Sequence, residues 1–332
     1  MHPGMQAERD LTVADLGEQA LLARIFARLA GSSRALVGPG DDAAVLDAPG
    51  GRVVVSTDTL VHGPDFRLAW SSGFDLGWKA AAVNLADIAA MGARPTALLV
   101  ALALPGDTTA GFVDDLASGL RTACDELAPE CAVEGGDLTA SGTLTIAVTA
   151  LGVLAGGADA VLRAGARPGE VVAVAGELGP AARGLRVLFD RFRDATGRPV
   201  AVEASALTAQ ERSDLAVQLR PLPPIALGEV AARAGATAMM DVSDGLLLDA
   251  SRLADASRVT IDLAPGLDDD ALRGGEDHAL LACFPAGAAL PPGFSEIGRV
   301  RPRVAHAVTI AGAPVDGRRG WDPHREWDTV RG

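Results

Sequence analysis

The sequence predicts an α/β protein of two domains, and three observations carry that expectation. Short β-branched or apolar runs alternate with stretches of helical spacing along most of the chain. Its 332 residues are enough for two cores of ordinary size. A glycine-rich shift in composition, at Gly156, Gly157 and Arg163-Ala164-Gly165-Ala166-Arg167-Pro168-Gly169, puts a boundary near residues 155–160 and gives units of 1–156 and 157–332.

From the N-terminus, Leu16, Ala20, Ile25, Phe26 and Leu29 are spaced for a helix from Thr12 to Leu29, with Thr12 or Asp15 as its cap. The most informative stretch follows, from Gly38 to Leu60. Asp41 and Asp42 come after a Gly-Pro-Gly turn, Gly50-Gly51 turns the chain again, and Asp58 lies in a β-branched run. On a strand, Ser56 and Asp58 share a face because side chains alternate. Such acids are either solvated loop residues or converge on a hard divalent cation such as Mg²⁺, which prefers carboxylate and phosphate oxygens.

A helix is expected from Phe74 to Gly92, with Pro95 preventing its continuation. Leu76, Ala80, Val83 and Asp87 recur at helical spacing, and Lys79 and Asp87 lie on an otherwise apolar face beside Asn84. A carboxylate there needs a partner unless it is half exposed at the helix end, and the acidic hairpin is the partner assigned.

Ala97–Leu104 reads as a buried strand, Thr109 to Leu127 as a helix, and Leu144–Ala150 as an alternating strand. Between the last two, Glu134-Gly135-Gly136-Asp137 reads as a loop, ordinary or phosphate-approaching. Arg163 precedes the strand Val171–Ala175 as a surface residue or a bidentate phosphate ligand. A helix runs from about Gly176 through Phe192, and residues 194–219 are polar and only partly helical in pattern. After Pro221-Leu222-Pro223-Pro224, a helix is expected over Ile225–Ala234. Asp241-Val242-Ser243-Asp244-Gly245 then ends an apolar run and opens a helix to Leu253, which suits either a simple N-cap or an anion and metal site. Ala279–Phe284 reads as a strand.

Bulk properties narrow the function classes. Acidic residues outnumber basic ones by 43 to 29, a net charge of −14, which opposes nucleic-acid binding. Three cysteines without CxxC spacing argue against a disulfide framework or zinc cluster and suit a reducing compartment. The first ten residues lack a signal pattern and no apolar span suits a membrane helix, so the expected location is the cytoplasm.

Seven motifs occur in the order found in thiamine-monophosphate kinases. They are Gly-Asp-Asp-Ala-Ala-Val (40–45), Ser-Thr-Asp-Thr-Leu-Val (56–61), Asp-Leu-Gly-Trp-Lys through Met-Gly-Ala (75–93), Glu-Gly-Gly-Asp (134–137), Leu-Arg-Ala-Gly-Ala-Arg-Pro-Gly (162–169), Asp-Val-Ser-Asp-Gly-Leu (241–246) and Gly-Gly-Glu-Asp (274–277). The chain resembles that family from about residue 12 to Trp321.

The resemblance implies an aminoimidazole ribonucleotide synthetase-like fold, with the sheet of the N-terminal domain pairing across a homodimer. It also implies ATP-dependent phosphorylation of thiamine monophosphate to thiamine diphosphate, by direct transfer without a covalent intermediate. By the same resemblance, Asp42, Ser56, Thr57, Asp58, Asp87, Asp137, Asp241 and Asp244 would hold several Mg²⁺ ions. Gly136, Asp137, Arg163 and Ser243 would bind ATP. Glu276 and Trp321 would meet the thiamine moiety, a carboxylate and an aromatic ring both suiting a cationic thiazolium.

Three departures stand out. Asp65 occupies the place of a substrate-contacting His, with His62 nearby, Leu138 follows Gly-Gly-Asp in place of Thr, and His278 stands where Tyr is usual. Selenophosphate synthetases and hydrogenase-maturation relatives need an N- or C-terminal reactive Cys that this chain lacks. The remaining alternatives are an aminoimidazole ribonucleotide synthetase and a non-catalytic Mg²⁺ or nucleotide binder.

Overall fold

The computed structural model describes residues 10–31, 52–315 and 320. Asp41, Asp42 and Trp321 lie outside them. Helix α1 (Val13–Leu29) starts at a capping box in which the Thr12 amide donates to Asp15 Oδ2 at 2.9 Å and the Asp15 amide donates to the Thr12 hydroxyl. Strands β1 (Val53–Val61), β2 (Arg94–Leu104), β3 (Ala132–Ala140) and β4 (Thr145–Val153) form one sheet in the order β1-β4-β2-β3. Its pairs are antiparallel except β2 with β3.

Helices α2 (Gly73–Ala90) and α3 (Ala110–Leu127) pack on each other, and α2 also lies against β1 and β4. Alternation along β1 turns Val54, Ser56 and Leu60 toward the helices, and Val53, Val55 and Thr57 away. The far face is uncovered in a single chain: Val55 is 59% exposed, and Val53 and Leu99 are exposed beside it.

α2 is buried almost all round, as the helix of a core shared by several elements should be. Leu76, Leu85 and Ile88 are fully enclosed, each burial worth roughly 1.5–3 kcal/mol. Beyond the first sheet, α2 touches α6 (Ile225–Arg233) and strand β6 (Ala238–Val242). It therefore links the two sheets.

The second sheet has seven strands in the order β11-β10-β7-β9-β5-β8-β6. β5 (Val171–Ala175), β6 and β8 (Ala279–Phe284) were legible as apolar runs. β7 (Val259–Leu263), β9 (Phe294–Pro302), β10 (Val308–Ile310) and β11 (Ala313–Pro314) were not. β9 carries Glu296, Arg299 and Arg301, and it becomes a strand because β5 and β7 pair with it from both sides. The remaining helices are α4 (Pro180–Arg191), α5 (Ala209–Leu219), α7 (Leu246–Ser257) and α8 (Asp269–Arg273).

One expectation changes. Glu134–Asp137 is no loop but part of β3, where the parallel register with β2 shifts between Leu98 and Leu99. A Cβ on Gly136 would stand 1.9 Å from the Val100 carbonyl oxygen, so close strand pairing by itself requires glycine there. In keeping with the partly helical pattern of 194–219, the end of that segment is the regular helix α5, opened by a Thr208/Glu211 capping box.

Candidate active site

The site is built where α2 and β1 of the first sheet face the end of β6 in the second. Ser56, turned inward on β1, donates from its hydroxyl to Asp87 Oδ2 at 2.5 Å. One turn earlier on α2, Asn84 accepts from the Asp58 amide at 3.1 Å and donates to the Ala80 carbonyl, so the strand and the helix are locked in register. Burial pushes the Asp87 carboxyl up to about 6, with Asp241 and then Asp58 adding repulsion that the Ser56 bond and His278 only partly offset. Partial desolvation also raises Asp58, helped by Asp241 and Asp244 and opposed by His278. Acids from both sheets thus feel one another.

Asp241 ends β6 in a buried position and accepts from His278 Nδ1 at 3.1 Å. Burial alone would lower the His278 pKa, but the bond to Asp241 and the charges of Asp241 and Glu276 outweigh it and raise the imidazole. Beyond β6, the Ser243-Asp244-Gly245 turn is held by fully buried Asp249, whose Oδ2 accepts from the amides of Asp244 and Gly245 at 3.0 and 3.2 Å. Arg252 Nη1 bridges Asp249 and Asp244 at 2.7 and 2.6 Å. The 274–278 segment lies over this turn: the Glu276 amide donates to the Ser243 carbonyl, and a Cβ on Gly275 would meet that same oxygen at 2.1 Å. Buried Gly320 also packs closely on this turn, where a Cβ on it would stand 2.4 Å from the Asp244 carbonyl oxygen, so the chain is back at the site one residue before Trp321.

A second group sits nearer the start of α2. Lys79 Nζ donates to Glu276 Oε2 at 2.9 Å, and Gln218 Nε2 of α5 donates to the same oxygen at 2.5 Å. Burial would raise the Glu276 carboxyl, but the Lys79 charge and hydrogen bond carry it below the usual range. Asp65 accepts from the Val61 amide at 2.7 Å. Desolvation raises it, and Glu276 repels it. His62 packs its ring 5.6 Å from Phe66 and lines a separate cavity with Ser72, Phe112 and Asp115, a cavity to which none of the described metal-site candidates contributes.

Not every candidate joins these groups within one chain. Thr57 turns to the open face of the first sheet, donating to the Val148 carbonyl and accepting from the Thr149 hydroxyl. Asp137 is exposed on β3, three strands from β1, and the register aligns it with Thr59, on that same open face and about 14 Å from β1. Arg163 is exposed on a segment whose Leu162 carbonyl accepts from Met239, toward the start of β6 rather than its Asp241 end. Among the described residues, no three His, Cys, Asp or Glu side chains close on a single point to hold an ion. The donor chemistry nevertheless fits Mg²⁺: the ligands are all oxygen, and two of the carboxyls are pushed up first by burial and then by neighbouring carboxylate charge, which a hard divalent cation would offset.

Lys79, Gln218, Asp249 and Arg252 are site residues that the sequence did not assign to ligands. Only Lys79 gave a signal, as a cation on an apolar helix face; the others act on residues remote in sequence or on a neighbouring turn.

Comparison with known proteins agrees with this architecture. A family model described as AIR synthase related protein, N-terminal domain, matches residues 40–154. The chain is 40% identical to the thiamine-monophosphate kinase of Mycobacterium tuberculosis over 336 residues, covering 96% of this chain and 94% of that one. It superposes on the crystal structure of thiamine-monophosphate kinase from Stenotrophomonas maltophilia with a TM-score of 0.74 and 34% identity, covering 90% of this chain and 98% of that one. A structure of AaThiL complexed with AMPPCP and TMP matches with a TM-score of 0.70 and 30% identity over 94% of this chain and 98% of that one. Similar in sequence and in fold over nearly its whole length, the chain belongs to the thiamine-monophosphate kinase family.

Proposed function

We propose that this chain transfers the γ-phosphoryl group of ATP to thiamine monophosphate, giving thiamine diphosphate and ADP. The observation that carries the reading is the layout of α2. Lys79 meets Glu276 at one point, and Asp87 meets Ser56 eight residues on, about 12 Å along the axis. One helix thereby spaces a subsite for an organic cation from a cluster of crowded carboxylates.

In this reading Asp42, Ser56, Thr57, Asp58, Asp87, Asp137, Asp241 and Asp244 hold Mg²⁺. Bound there, the ions neutralise and orient phosphate oxygens. Gly136, Asp137, Arg163 and Ser243 bind ATP, and Asp65, Glu276 and Trp321 bind the thiamine moiety. The acceptor is already an anionic phosphate, so the chain supplies position and charge rather than a nucleophile or a strong base. Asp249 and Arg252 fix the 243–245 turn, and Asn84 fixes β1 on α2, so that the oxygens are in place before substrate arrives.

The domain division is assigned to 1–156 and 157–332, and cleavage near residue 156 by limited proteolysis would support it. The open apolar face of the first sheet is assigned to homodimer pairing. Sedimentation showing only monomer at micromolar concentration would remove it. A cytoplasmic location is in keeping with three buried free cysteines and is checked by cell fractionation.

The deciding experiment incubates the protein with ATP and Mg²⁺, with and without thiamine monophosphate, and identifies products by mass. Thiamine diphosphate equal to the ADP formed supports the reading. ADP formed only with another acceptor would assign the chain a different reaction, and ATP binding without turnover would make it a silent binder.

A further inference from the structure

We propose that Gln218 of α5 is a positioning residue that sets the Glu276 carboxylate for the organic cation, an inference that rests on the assignment of Glu276 to the thiamine moiety. It also gives a role to the end of the polar segment 194–219.

Gln218 is 5% exposed, and α5 is anchored so that its place is fixed. One turn earlier, buried Asp214 accepts from Arg183 of α4 at 3.1 Å and from Gln210 at 3.2 Å. Leu215 packs in an apolar cluster with Leu188, Phe192, Leu207 and Trp70. From that support the Gln218 Nε2 group donates to Glu276 Oε2 at 2.5 Å. A carboxylate only accepts, so the NH₂ end of the amide must face it. The Gln218 Oε1 atom is then left buried without a hydrogen-bond partner. A buried acceptor without a partner opposes folding. A methionine or leucine would fill the same place without that cost, so the amide is present for what its other end does.

What it does is visible at Glu276. Gln218 and Lys79 both bind Oε2, so the carboxylate is gripped by one oxygen from two directions. The side chain remains 37% exposed, so a carboxylate gripped at Oε2 is still accessible to a ligand. The backbone is held as well: Glu276 has φ of 67°, a left-handed conformation that non-glycine residues seldom adopt, and its amide is fixed on the Ser243 carbonyl. Without Gln218, the Lys79 ammonium is the one described side chain left to hold the carboxylate, and it would draw the group toward itself rather than toward the cation it is to meet.

The test uses the full-length protein and the variants Gln218→Met and Glu276→Gln, singly and together, with wild-type turnover measured first. If the wild type makes no thiamine diphosphate, the assignment of function fails, and Gln218 loses its proposed role with it. If it does, Gln218→Met should raise KM for thiamine monophosphate about tenfold, the scale of a hydrogen bond to a charged group, with KM for ATP and kcat within about twofold and no loss of Tm. In the Glu276→Gln background the same change should add nothing, because Gln218 acts through Glu276. An unchanged KM for thiamine monophosphate would overturn the proposal while leaving the function intact. So would additive effects, or a lowered Tm with both substrates weakened alike.

Discussion

Ser56 and Asp87, on a strand and a helix 31 residues apart, are joined by a hydrogen bond of 2.5 Å from hydroxyl to carboxylate. The bond aims one Asp87 oxygen at β1 and leaves the group within reach of the Asp58 and Asp241 charges. Replacing Asp87 with Asn keeps the shape and can still accept from Ser56, but removes the charge. Turnover of thiamine monophosphate is expected to fall by at least about 100-fold, the scale for loss of a group that neutralises transferring phosphate. The folded state, checked by circular dichroism, is retained. Near-normal turnover would remove Asp87 from the metal set.

The same residue gives a pH prediction for metal-free protein. Its carboxyl rises from 3.8 to about 6 on folding, so between those values the folded chain binds more protons than the unfolded one. The Asp87 contribution is therefore neutral below about pH 4, grows more destabilising between about pH 4 and 6, and is constant above that. Asp87→Asn should raise Tm relative to wild type at pH 7.5 and leave it unchanged at pH 4. A gain of equal size at both pH values would show that ionisation of Asp87 is not its source.

Asp249 is predicted to matter without touching substrate. It is fully buried, holds two amides of the 244–245 turn and pairs with Arg252. Asp249→Ala should cost about 1–3 kcal/mol of stability in urea unfolding, from the amides and the guanidinium left behind. It should also raise KM for MgATP more than KM for thiamine monophosphate. Loss of stability with unchanged kinetics would confine Asp249 to a folding role.

Trp321→Ala should raise KM for thiamine monophosphate by about tenfold and KM for ATP by less than twofold, as expected for loss of a ring facing a cation in a desolvated site. The neighbouring Gly320, packed on the Asp244 carbonyl, motivates the placement. Equal weakening of both substrates would remove Trp321 from the thiamine subsite.

What the sequence revealed was local. Period-two alternation put Ser56 and Asp58 on one face, and helical spacing put Asp87 beside Asn84 on a buried face, and both relations hold. Sequence spacing assigns Asp87 a metal cluster as its partner; in the structure its described partner is the Ser56 hydroxyl of β1. Glu134–Asp137 looked like a loop because paired glycines usually punctuate, whereas here close approach to β2 requires Gly136. Lys79–Glu276 and Gln218–Glu276 join residues 197 and 58 positions apart, and nothing in the spacing of a single sequence signals such pairs. β9 was hidden for a related reason: its charges alternate with apolar residues too irregularly to reveal that strands flank it on both sides.

The central claim is that carboxylates of the first sheet and its helix form one Mg²⁺ site with those at the end of β6. It is tested most directly by measuring the Mg²⁺ dependence of thiamine diphosphate formation in wild type, Asp58→Asn, Asp241→Asn and the double variant. If both acids serve one site, each single change should raise the Mg²⁺ concentration needed for half-maximal rate, and the double variant should be little worse than either, far from the product of the two effects. Strictly multiplicative losses, or an Asp241→Asn enzyme with wild-type Mg²⁺ dependence, would contradict a shared site.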